Sequence, residues 1–155
     1  MRQATPQLKS LAQRLLAHEA KKSPSPAKLA EALEVCCQRL HKRLDSLVGA
    51  GGFRALLDRA LFLAKKEHPW LEGVEIQAYP GCELKALNEA MAGRQPGEIR
   101  ETLTIILANV IWLLVTFIGE DIVYALIEEA WPGTKIAPAP APRTRRSEKR
   151  VSRNG

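Results

Sequence analysis

Apolar residues recur at helical spacing along most of this chain. Between Thr5 and Ala20, Leu8, Leu11, Leu15 and Leu16 form one stripe with Lys9, Gln13 and Arg14 outside it, which predicts an amphipathic helix. Thr5 suits the N-cap of that helix, and Pro6 its first turn, where the missing N–H costs nothing. Lys21-Lys22-Ser23-Pro24 interrupts the pattern and Ser25-Pro26 restarts it. Leu29, Leu33, Cys36, Leu40, Leu44 and Leu47 then mark one face of a second helix, which Gly49, Gly51 and Gly52 are expected to end. Phe53, Leu56, Leu57, Ala60, Leu61 and Ala64 share a face of a third, and Pro69 stops it.

After Trp70 the period changes. Val74, Ile76 and Ala78 alternate with Glu75, Gln77 and Tyr79, as in a strand, but no partner strand is evident, so an extended connector is expected. Pro80-Gly81 predicts a turn, residues 83–91 a short helix carrying Leu84, Leu87 and Met91, and Gly93 to Gly97 another break. The final element starts near Glu98. A single helix from there to Trp131 would be about 51 Å long, well beyond the roughly 30 Å width of a small domain, so a break is expected. Gly119 is the natural place, because it lacks a side chain and is followed by Glu120 and Asp121, acids suited to the first turn of a new helix.

Thr102 to Gly119 is an eighteen-residue run without a charge, the length at which a segment becomes a candidate membrane span. Two observations oppose that reading. Trp112 lies in the middle of the run rather than at an interface, and a basic C-terminus held in the cytoplasm would require about 100 mostly polar residues to cross first. A helix apolar on all sides also suits the centre of a bundle, where it would cover the leucine faces upstream. Inside such a helix Thr104 and Thr116 can bond back to their own backbone, whereas Asn109 needs a partner.

Charge divides the chain at its C-terminal end. The net charge is +6, yet residues 1–134 hold 16 basic and 16 acidic side chains, so the whole excess lies in residues 135–155. That segment begins with the stiff spacer Ala137 to Pro142 and continues as an expected disordered tail bearing Arg143, Arg145, Arg146, Lys149, Arg150 and Arg153. These six side chains could contact phosphates or anionic headgroups, and without an aromatic for base stacking such binding would carry little sequence preference. The plainer account of the tail is a solvated extension that aids solubility.

Catalytic and cofactor chemistry finds no support in the motifs. Cys37 and His41 lie four apart on one helix, but Cys36 continues the leucine stripe, and no further ligands stand at metal spacing. Gly49-Ala50-Gly51-Gly52 lacks the lysine and hydroxyl of a phosphate loop. Glu120 and Asp121 point about 100° apart on a helix and do not converge on one atom. They are expected to act structurally, one as a cap and the other paired with Arg54 or Arg59. No metal, cofactor or catalytic residue is expected. Three cysteines without a framework spacing and a charged start fit a reducing, cytoplasmic setting.

The strings FRALLDRAL, HPWLEG and LLVTFIGEDIVYALIEEAWP resemble elements of a small bacterial all-helical family of uncharacterised proteins. The resemblance spans about residues 40 to 132, leaves out the tail, implies a compact helical module and brings no activity with it. The expected architecture is all-α: a bundle of four to six helices over residues 1–134 with a central hydrophobic C-terminal helix, followed by the tail at 135–155. The expected role is a non-enzymatic protein-protein interaction or regulatory module, with a protein partner or a second copy and electrostatic attachment through the tail. The alternatives are a nucleic-acid-associated protein binding through that tail and a single-span membrane protein with its span at 102–119.

Overall fold

A computed structural model describes residues 5–21, 25–77 and 83–132; the basic tail, Cys82 and the expected turn at Pro80-Gly81 lie outside the described residues. The fold is all-α. Helix α1 spans Pro6–Glu19, α2 Pro26–Glu67, α3 Leu87–Met91, α4 Pro96–Ile118 and α5 Glu120–Ala130, with a 3-10 turn at Pro69–Leu71. Thr5 caps α1 as expected, its hydroxyl accepting from the Leu8 N–H at 3.3 Å.

Helix α2 is two helices joined at a reversal. Gly49 has φ 73° and ψ 168°, a conformation far from helical. Residues 41 and 53 would lie about 18 Å apart along a continuous helix. Instead the His41 and Phe53 rings stack with centroids 4.7 Å apart. Leu33 and Cys37 from the first half likewise meet Leu57 from the second around one small cavity. Gly49 alone makes the break; Gly51 and Gly52, expected to help end the helix, already belong to the second half. Leu47 corrects the predicted stripe, because it stands at this turn and is 56% exposed while the five positions before it are buried.

The second half of α2 runs antiparallel to α4. Thr102 meets His68, Asn109 meets Ala60, and toward the far end Leu113 and Phe117 line a surface groove with Leu56 and Gly52. Buried Asn109 thus finds the partner it needs, its Nδ2 donating to the Ala60 carbonyl at 3.2 Å. Thr116 bonds back to the Trp112 carbonyl at 2.9 Å. Helix α1 packs on both α2 and α4, so the apolar run occupies the centre of the bundle. From Ile99 to Leu114, thirteen residues of α4 are buried, and exposed positions lie in its first turns and again from Thr116 on.

The break at Gly119 stands where the sequence places it. Its φ of 100° and ψ of 150° end α4, its N–H still donates to Val115, and its carbonyl accepts from Val123 to begin α5. Between α2 and α3 the sequence expectation fails. Glu75–Gln77 is a strand, β1, paired antiparallel with Glu83–Lys85, β2, so the extended segment has a partner and the predicted helix over 83–91 shrinks to α3. Glu34 of α2 ties this hairpin down, its Oε2 accepting from the Leu84 N–H at 2.9 Å.

Candidate functional site

Two features combine unusual exposure or burial with specific geometry. The first is an apolar groove at the end of the bundle where both glycine breaks lie. The second half of α2 supplies Val48, Gly52, Ala55, Leu56 and Arg59, and the end of α4 supplies Leu113 and Phe117, around about 490 Å³ of open space. Phe117 is 68% exposed, the most exposed of the large apolar side chains among the described residues, and Leu47 and Ile122 flank the two glycine turns in similar condition. The helices put them there for a simple reason: α4 outruns the residues of α2 that cover it, since the chain turns back at Gly49.

The second feature is a polar knot between α1, α2 and the end of α5. Trp131 Nε1 donates to Glu19 Oε2 at 2.6 Å, and Arg39 Nε approaches the same oxygen at 2.9 Å. The Arg39 Nη1 donates to the Ala130 carbonyl at 2.8 Å, and the guanidinium carbon lies 5.8 Å from the Trp131 ring centre. One arginine therefore caps the C-terminus of α5, pairs with a carboxylate that is 12% exposed, and stacks on an indole. The arrangement fixes α5 to the bundle. It offers no group free to attack or bind a substrate.

The residues singled out from the sequence are dispersed. Arg54 pairs within its own helix, with Asp58 at 3.7 Å, and Arg59 lies over Phe62 at 5.4 Å. Glu120 and Asp121 are exposed in the first turn of α5, and neither is paired with an arginine among the described residues. Among the described residues, Arg54 and Arg59 therefore form no ion pair with Glu120 or Asp121, and Arg54 instead has Asp58 one turn away on its own helix. Cys36 and Cys37 are buried, and burial in the apolar interior pushes the Cys36 thiol far above its ordinary range, with Glu19 adding to the rise. His41 is stacked on Phe53 and its Nε2 stands 3.8 Å from Asp45. Among the described residues no group of three or more His, Cys, Asp or Glu side chains could hold a metal ion.

Three buried polar atoms, His41 Nε2, His68 Nε2 and Trp70 Nε1, have no hydrogen-bond partner among the described residues. A second crevice of about 490 Å³ lies between the starts of α1 and α4, where Lys9, Arg100 and Glu101 bring both signs of charge. The groove and the knot were both missed in the sequence. Phe117 carried the only available signal, as an aromatic near the end of an apolar helix. Compared with known proteins, the chain matches no family model, no curated protein and no solved structure.

Proposed function

We propose that this chain is a non-enzymatic protein-interaction module whose docking face is the groove between the second half of α2 and the end of α4. The observation that supports this is Phe117, 68% exposed beside a floor formed by Gly52, Ala55 and Leu56. A concave floor of small residues next to an exposed aromatic is suited to accept side chains from another protein. A photo-reactive phenylalanine in place of Phe117, which leaves the floor open, tests it. Covalent adducts to a protein support the groove as a docking face, and their absence removes it.

A second function is favoured by the tail, whose six arginine and lysine side chains from Arg143 to Arg153 concentrate charge outside a neutral body. On this account the tail attaches the module to nucleic acid or another polyanion, with affinity that falls steeply as salt rises. Deleting residues 136–155 should abolish retention on DNA or RNA at low salt; undiminished retention would retire the role.

A further inference from the structure

Charge differs between the two ends of the groove: Arg59 is the charged residue of its lining, and Glu120 and Asp121 follow Phe117 closely in the chain. Arg59 closes the α2 wall and, among the described residues, lies over Phe62 with no carboxylate at ion-pair distance. Beyond Phe117 on the other wall, the chain turns at Gly119 and presents Glu120 and Asp121, both exposed and unpaired with any cation among the described residues. Because the second half of α2 runs antiparallel to α4, Arg59 lies toward one end of the apolar centre and the two carboxylates beyond the other, an arrangement complementary to itself under a two-fold rotation that lays the basic end of one copy over the acidic end of the next.

We propose that the occupant of the groove is a second copy of this chain, with the Phe117 ring of each copy seated on the Gly52 and Ala55 floor of the other and Arg59 facing Glu120 and Asp121 across the interface. The proposal rests on the groove being a docking face. Gly52 and Ala55 are exposed and carry at most a methyl group, which leaves room for a ring. The bodies meet without net repulsion, since residues 1–134 carry 16 charges of each sign. An anionic lipid surface is a poorer occupant. Seating Phe117 in it would press Glu120 and Asp121 against like charge.

Sedimentation equilibrium of the full chain, from low micromolar to millimolar concentration, tests the proposal. A dimer is expected, and Arg59→Glu should weaken it by about tenfold, because each reversal opposes two symmetry-related contacts. Reversing the acids with Glu120→Lys and Asp121→Lys should weaken it similarly, and combining the reversals should restore association. Ala55→Trp, at an exposed helical position, should abolish the dimer while leaving in place the thermal midpoint measured at concentrations where the parent is monomeric. A chain that stays monomeric throughout, or a dimer indifferent to these substitutions, overturns the proposal. Crosslinking from a photo-reactive phenylalanine at position 117, which keeps the ring, separates it from the broader docking face: an adduct of twice the chain mass supports the second copy, and an adduct of any other mass overturns it while leaving the groove as a docking face.

Discussion

His41 lies against Phe53 with ring centroids 4.7 Å apart and planes inclined by 8°, although both belong to one run of helical residues. The contact is possible only because Gly49 reverses the chain between them, and Phe53 is fully buried as a result. The same backbone device recurs at Gly119, so the two longest helical stretches both fold back at one end of the bundle. The exposed groove is a by-product of these reversals, which leave the end of α4 without cover.

Gly49 and Gly119 should therefore be the least replaceable glycines. Their φ and ψ values, 73° and 168° and 100° and 150°, fall in a region that residues with a Cβ avoid. Gly49→Ala and Gly119→Ala should each cost about 1–3 kcal/mol even though a Cβ would meet no atom within 4 Å. Gly51 also has open space around it but lies in helical backbone, so Gly51→Ala should stabilise by about 0.5–1 kcal/mol. Urea unfolding of the three variants checks the ordering. Equal effects at positions 49 and 51 would contradict the reversal.

The knot at Glu19 yields a double-mutant cycle. Glu19→Ala leaves both the Trp131 indole N–H and Arg39 without their carboxylate, at a cost of about 1–3 kcal/mol for the orphaned donors. Trp131→Phe keeps most of the buried ring and removes the N–H. In that background Glu19→Ala should cost measurably less, and the difference in denaturant midpoints gives the coupling. Strict additivity would show that the 2.6 Å contact contributes nothing to stability.

Glu34 makes stability depend on pH. Burial is the largest influence and pushes its carboxyl above the usual range; the Leu84 N–H pulls it down, and the charges of Glu83 and Glu31 push it up again. A carboxyl raised in the folded chain contributes most below its unfolded value, about 4.3, and that contribution is lost as pH rises through the folded value. Glu34→Gln keeps an oxygen for Leu84 without the buried charge. Its thermal midpoint should lie close to that of the parent near pH 4 and move ahead of it toward pH 7, and a gap constant with pH would refute the assignment.

What the sequence reveals follows from the range of each interaction. Thr5 capping Leu8, the leucine stripe up to Leu44 and the turn at Gly119 are decided by neighbours within a few residues, so spacing and side-chain type suffice to find them. The β-hairpin is decided elsewhere: each strand is three residues long, and its anchor, Glu34, lies 50 residues from Leu84. Glu19 and Trp131 are separated by 112 positions, and nothing in either one's surroundings marks the pairing. Arg54 misled for the opposite reason, since its partner Asp58 lies one turn away on its own helix.

Helix α4 supplies the last prediction, because its 23 residues are long and apolar enough to cross a membrane while most of its apolar surface is covered by α1 and α2. Leu107 is fully buried and Phe117 is not. In a bundle, Leu107→Asp would bury an unpaired carboxylate and should unfold the chain, whereas Phe117→Ser should leave the unfolding free energy of the dilute chain within about 0.5 kcal/mol of the parent. In a span, both side chains would sit in or near hydrocarbon, and both substitutions should reduce membrane insertion. Fractionation with carbonate extraction, run beside thermal denaturation of the two variants, decides between them. A parent chain that resists carbonate and a Phe117→Ser chain released by it would place the eighteen uncharged residues in lipid; a soluble parent, lost by Leu107→Asp alone, would place them at the centre of the bundle.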